Sequence, residues 1–144
     1  MTAMTVTVPE LSTGTVGEVM TAGVITCLPE TPLWTIARMM TTYRVHAIVV
    51  FGHDDDLAPW GVVSDMDLVG ALGGHGTAGT IAASPVVTTT PEETLVRATQ
   101  LMREHATAHL IVVATDTRLP IGVISTLDIA RAFAAEQGPT ENFG

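Results

Sequence analysis

The sequence predicts a mixed α/β (α+β) module in which two copies of a β-α-β-β-α unit pack with pseudo-two-fold symmetry. Three observations predict it: an internal repeat, the same succession of β-branched and helix-period segments in both copies, and a length of 144 residues with 47% apolar content. That length supports one sizeable core and is too short for two ordinary domains. The repeat is read first because missing it mistakes the whole fold. Thr15 to Val50 align without a gap on Thr77 to Val112, with identities at Gly17/Gly79, Val24/Val86, Thr26/Thr88, Pro29/Pro91, Glu30/Glu92, Leu33/Leu95 and Met40/Met102. After the loss of one loop residue the match resumes at Gly61/Gly122, Val62/Val123, Ser64/Ser125, Asp67/Asp128 and Ala71/Ala132.

Each copy opens with a short β-branched run, Val24-Ile25-Thr26 or Val86-Val87-Thr88, that ends at a turn holding Pro29-Glu30 or Pro91-Glu92. A helix follows. Leu33, Ile36, Ala37 and Met40 recur at helical spacing behind Thr31-Pro32, and Leu95, Ala98, Leu101 and Met102 do so behind Glu92-Glu93-Thr94. Next come two apolar runs separated by a polar loop, Ala47 to Phe51 with Gly61 to Val63, and His109 to Val113 with Ile121 to Ile124; they read as paired strands. A last amphipathic helix starts at Asp65-Met66 or Thr126-Leu127 and carries Leu68, Val69 and Leu72, or Ile129, Ala130 and Phe133. A half of about 60 residues buries too little to stand alone, so the copies are expected to pack together. The expected organisation is a flexible tail over 1–14, a first copy over 15–73, a linker over 74–76, a second copy over 77–136, and a flexible tail over 137–144.

Composition narrows the function. The net charge is -9, and the six basic residues, all arginine, are scattered along the chain. Nucleic-acid binding needs a clustered basic surface, and an anionic membrane repels such a chain, so neither partner is expected. The first twelve residues have no basic start before an apolar run, and no stretch reaches the about 20 apolar residues that span a bilayer. The expectation is a soluble, cytoplasmic protein. Cys27, the single cysteine, is read as a structural thiol, which rules out an intrachain disulfide and a multi-cysteine zinc site.

The chemistry concentrates in one duplicated pattern: Gly61-Val62-Val63-Ser64-Asp65-Met66-Asp67 and Gly122-Val123-Ile124-Ser125-Thr126-Leu127-Asp128. Both end a strand and begin a helix. Ser64 and Ser125 fall at helix N-termini, where free backbone N–H groups and the dipole favour a phosphate. Asp67 and Asp128 follow one turn later, where a carboxylate accepts both hydrogen bonds of a ribose diol. The plainer alternative is that the serines are only N-caps and the aspartates only favour the helix dipole.

These residues resemble the cystathionine-β-synthase-type (CBS) domain family, over about Thr15 to Ala134. His109-Leu110-Ile111-Val112-Val113 looks like its central strand, and Val86-Val87-Thr88 with Pro91-Glu92 like its first strand and turn. A proline often found in the central strand is Val49 or Ile111 here, and both suit a strand. The resemblance implies two clefts between the copies. One would combine Ser125 and Asp128 with Ala22, Val24, Val45 and His46; the other would combine Ser64 and Asp67 with Ser84, Val86, Thr107 and Ala108. The aspartates would hold ribose, Ser64, Ser125 and His46 phosphate, and the remaining residues adenine. His46 and neighbouring Arg44 supply cations to the first cleft, whereas the second has Ala108 at that position and Asp65 directly after Ser64. The first is therefore expected to be the better site for AMP, ADP or ATP, and the second to be weaker, empty or suited to a less anionic ligand.

Other signals are set aside. His53-Asp54-Asp55-Asp56 lies in a strand-joining loop without a second ligand group at fixed spacing. His75 reads as a linker residue, and the helix is expected to end between His105 and His109, which spoils a shared metal face. Trp34 and Trp60 are assigned to core or dimer packing. No nucleophile-base order, phosphate loop or dinucleotide fingerprint stands in a suitable context, so no enzyme, metal or cofactor is expected. The expected function is a regulatory module that binds an adenine nucleotide or related adenosyl ligand (AMP, ADP, ATP or S-adenosylmethionine) and forms a homodimer. The alternative is a scaffold that keeps the fold and binds an unidentified protein target.

Overall fold

The computed structural model describes residues 14–52 and 59–137. The tails over 1–13 and 138–144 and the run from His53 to Asp56 lie outside the described residues. In chain order the elements are α1 (Val16–Val19), β1 (Thr21–Ala22), β2 (Thr26–Cys27), α2 (Leu33–Tyr43), β3 (Ala47–Phe51), β4 (Pro59–Ser64), α3 (Asp65–Gly70), α4 (Ala78–Ile81), β5 (Thr88–Thr89), α5 (Leu95–Glu104), β6 (His109–Val113), β7 (Pro120–Ser125) and α6 (Thr126–Gln137). The β-α-β-β-α succession stands in both copies, preceded each time by a four-residue helix, α1 or α4, that is too short to leave a periodic apolar signal.

Within each copy the first strand pairs parallel with the central one, β2 with β3 and β5 with β6, and the central strand pairs antiparallel with the last, β3 with β4 and β6 with β7. Both antiparallel pairs shift register at the same place, Val50/Phe51 and Val112/Val113, and the duplication therefore extends to an irregularity of the sheet. Helix α2 buries Ile36 and Met40, and α5 buries Leu95, Ala98 and Met102, the faces expected from their spacing. Val69 and Leu72 in the first copy and Ala130 and Phe133 in the second differ from expectation, for all four are exposed, and of α3 only Leu68 is buried.

The copies exchange their leading segments. Thr15 bridges Thr94 at the start of α5, and its equivalent Thr77 bridges Pro32 at the start of α2. Gly17 N–H donates to Pro91 O at 2.9 Å, and Gly79 N–H to Pro29 O at 2.7 Å. A Cβ on Gly17 would lie 3.1 Å from the Cβ of Pro91, and one on Gly79 3.0 Å from that of Pro29, a closeness that accounts for the duplicated glycine-proline pairs. Strand β1 then crosses to pair with β7 as Thr21↔Val123 and Ala22↔Gly122, giving the sheet order β1-β7-β6-β5. The equivalent crossing in the other direction narrows to a single bridge, Val62↔Ala83, beside the sheet β2-β3-β4.

Burial follows this exchange. Val16 of α1 joins Leu95, Ala98, Met102, Leu110, Val112 and Ile124 in one core, while Ala78 of α4 joins Ile36, Met40, Ile48, Val50, Val63 and Leu68 in the other. A third cluster, Val49, Ile111 and Val113 with partly buried Val24, Phe51, Val62, Val86 and Val123 around it, joins the two sheets. Each half thus completes its core with a piece of the other, which removes the weakness of a half this small.

Candidate functional site

Strands β4 and β7 pass directly into helices at Ser64 and Ser125, and the two junctions have the same geometry. Ser64 Oγ accepts from Asp67 N–H at 3.1 Å, and Asp67 Oδ2 accepts from Ser64 N–H at 2.9 Å. In the second copy the corresponding distances are 3.2 Å and 2.9 Å. These are reciprocal capping boxes with aspartate in place of the usual glutamate. The capping role of the serines and aspartates is therefore real, and it uses only one oxygen of each carboxylate. It also holds the carboxylate rigid, and Asp128 is 8% exposed.

Each box faces a cavity between the copies. The larger cavity, about 740 Å³, brings Ser64 and Asp67 together with Ser84, Val86, Thr107 and Ala108, and Asp65, His105 and His109 also line it. The smaller, about 350 Å³, brings Ser125 and Asp128 together with Ala22, Val24, Val45 and His46, beside Tyr43, Arg44 and His109. The expected groupings are thus adjacent in space. The turn after the long helix differs between the two cavities: Tyr43, Arg44 and His46 line the smaller, and their equivalents His105, Ala106 and Ala108 line the larger. That turn takes a left-handed residue in both copies, Arg44 at φ 55° and Ala106 at φ 50°, a conformation that carries the chain from helix into cleft.

The charges are less simply divided. His46 lines the smaller cavity, but its Nδ1 lies 2.9 Å from Asp65 Oδ2, a carboxylate that lines the larger one. The hydrogen bond to His46 holds the Asp65 carboxyl below the usual carboxylate range, against a smaller opposing effect of burial. His109 lines both cavities; burial pushes its imidazole down, partly offset by the nearby Asp65 charge. Arg131 of α6 places Nη1 3.9 Å from Asp128 Oδ1 and adds a cation next to the smaller cavity. Its equivalent in the first copy is Gly70, so no arginine follows Asp67 in the same way. Arg131 and the central His109 are the residues sequence reasoning missed. The arginine three positions after Asp128 was the available signal for the first; His109 gave none, because its position at the junction of both clefts depends on the packing of the copies.

The set-aside residues fall as follows. Trp34 is 64% exposed, which excludes the core, and its ring stacks under the Arg38 guanidinium at 5.2 Å. Trp60 is also exposed. Cys27 is half-buried, and burial pushes its thiol up, so its reactivity is reduced. Among the described residues no three His, Cys, Asp or Glu side chains converge on a point, and no helix is long and apolar enough to cross a membrane.

Two exchanged copies of one strand-helix unit, with a serine-aspartate cap at each of two inter-copy clefts, define a class of tandem-repeat module. The CBS domain profile matches residues 16–74 and 78–135, and the chain belongs to the CBS-domain family. Among solved structures, the CBS domain pair of protein MJ0100, in complex with 5′-methylthioadenosine and S-adenosyl-L-methionine, superposes with a TM-score of 0.76 at 18% identity, over 85% of this chain and 98% of that one. The CBS domain protein PAE2072 from Pyrobaculum aerophilum, complexed with AMP, gives 0.72 at 27% identity, over 85% and 96%. CBSX2 in complex with AMP gives 0.68 at 24% identity, over 88% and 100%. No curated protein matches the chain at a significant level.

Proposed function

We propose that this chain is a regulatory, non-catalytic module that binds adenine nucleotides or related adenosyl ligands between its two copies, and that the smaller cleft takes the anionic ones. The observation that carries the reading is the pair of part-buried capping boxes, Ser64/Asp67 and Ser125/Asp128, each at a cleft lined by strand residues and apolar side chains. In each cleft the aspartate holds ribose, the serine lies at the phosphate end, and Ala22, Val24 and Val45, or Ser84, Val86, Thr107 and Ala108, enclose the base. Arg44, His46 and Arg131 favour phosphate in the smaller cleft. Among the described residues no arginine lines the larger one, where Asp65 favours a neutral or cationic adenosyl group. The complexes of PAE2072 and CBSX2 with AMP, and of MJ0100 with methylthioadenosine and S-adenosylmethionine, support this ligand class.

The module acts in the cytoplasm as a homodimer, joined through helices whose exposed apolar residues include Met66 and Val69 of α3 and Leu127 and Phe133 of α6. Ligand binding changes the relative orientation of copies or subunits, which requires different affinities for the two arrangements. Thermal-shift and calorimetric titration with AMP, ADP, ATP, S-adenosylmethionine and NAD tests the reading. A binder at a hundredfold excess over its Kd is expected to stabilise the protein by about 2.7 kcal/mol. No response to any of the five would favour the protein-binding scaffold.

A further inference from the structure

The two clefts share a side-chain pair. Asp65 N–H donates to His46 O at 2.9 Å, and the equivalent backbone bond, Thr126 N–H to Ala108 O at 2.9 Å, is present in the second copy. The fold therefore needs only the backbone link. In the first copy a side-chain link is added to it, His46 Nδ1 to Asp65 Oδ2 at 2.9 Å, and the alanine and threonine of the second copy cannot form one. His46 faces the cleft of Ser125 and Asp128, whereas Asp65 faces the cleft of Ser64 and Asp67. A carboxylate on Nδ1 fixes the orientation of an imidazole and leaves Nε2 as the ring nitrogen a ligand can use.

We propose that Asp65, although it lines the larger cleft, is a positioning residue for the smaller one: it orients His46 toward a ligand phosphate there and so couples the two clefts. This rests on the nucleotide-binding reading above. The coupling works in both directions. With Nδ1–H donated to Asp65, Nε2 donates to a phosphate only when it carries a proton as well. A phosphate there therefore favours the doubly protonated ring, strengthens its hold on Asp65 and withdraws that carboxylate from the larger cleft; a cationic ligand that takes Asp65 in the larger cleft frees the ring in the smaller. The side chains of His46 and Asp65 are 72% and 47% exposed, so the pair is hydrated and its effect is small. Exposed pairs of this kind correspond to about two- to fivefold in an equilibrium constant.

The test is calorimetric titration of the full chain with AMP and, separately, adenosine, for wild type, Asp65→Asn, Asp65→Glu, His46→Gln and the Asp65→Asn/His46→Gln double variant. The smaller cleft is the binding event lost in Asp128→Asn. Expected there is about two- to fivefold weaker AMP binding in Asp65→Asn, with adenosine binding unchanged, partial recovery in Asp65→Glu, and no further loss in the double variant beyond His46→Gln. The proposal is overturned if Asp65→Asn leaves AMP affinity unchanged, if it weakens AMP and adenosine equally, or if the two substitutions are additive. A wild-type protein that binds neither compound refutes AMP as the ligand of the smaller cleft, and an AMP site that survives Asp128→Asn refutes its placement there; either overturns the underlying reading of that cleft rather than the role of Asp65.

Discussion

Replacing Asp128 by asparagine separates capping from ligand binding. Asp128 Oδ2 accepts the Ser125 N–H at 2.9 Å, and the return bond, Asp128 N–H to Ser125 Oγ at 3.2 Å, uses no side-chain atom of residue 128. An asparagine carbonyl takes over the first bond, and the second is untouched. The cost in folding stability is therefore expected to stay below about 1 kcal/mol. What asparagine cannot supply is a second anionic acceptor, because its amide nitrogen presents donors to a ribose hydroxyl that must itself donate. A hydrogen bond to a charged group contributes about 1.5–3 kcal/mol, so AMP is expected to bind about ten- to a hundredfold more weakly. Arg131 loses its countercharge at 3.9 Å, but its side chain is mostly exposed and contributes little. Alanine at the same position removes both roles and adds a capping loss of about 0.5–2 kcal/mol. Isothermal calorimetry with AMP and urea denaturation measure the two effects separately. The reasoning fails if the asparagine variant keeps wild-type AMP affinity, or if its loss of affinity is matched by an equal loss of folding stability.

The exchange of leading segments predicts unequal costs at equivalent glycines. A Cβ on Gly122 would sit 2.6 Å from Thr21 O and 2.9 Å from Met20 Sδ, whereas one on Gly61 would meet nothing nearer than 3.1 Å. Gly122→Ala is expected to cost about 1–3 kcal/mol by prising β1 from β7 and Gly61→Ala less; equal urea midpoints would contradict this. His109 is held below the ordinary histidine value of 6.5 by burial, so the folded state binds fewer protons than the unfolded one. Stability from this group is full above that value and falls as pH drops through it toward the folded value; the urea midpoint should decline as pH falls through the ordinary histidine value, and decline less in His109→Gln. Val69→Glu with Leu127→Glu places charge on exposed apolar positions of α3 and α6. Sedimentation should show a monomer with an unchanged circular dichroism spectrum; a dimer that persists places the subunit contact elsewhere.

Much of this fold is local information. Ile36 and Met40, or Leu95, Ala98 and Met102, announce a buried helix face because the 3.6-residue period is a property of one segment, and the strand runs around Val49 and Ile111 are equally self-contained. The short helices α1 and α4 were not legible, since four residues give no period. The burial of Leu68 without Val69 or Leu72 was not legible either, because α3 ends at Gly70 before a full stripe can form.

By itself, then, the sequence determined the duplication, its register, the family, and the two serine-aspartate boxes, all of which reside in residues close together along the chain or matched between copies. Only the tertiary structure decided that Val16 and Ala78 complete each other's cores, that His109 stands between both clefts, and that His46 is bonded to Asp65 across them. It also decided that the cleft richer in cations is the smaller one. The physical reason is that a pattern of apolar residues states which face of an element is buried but not against which partner. That choice is made by close approach, such as Gly17 on Pro91 or β1 on β7, between segments far apart along the chain.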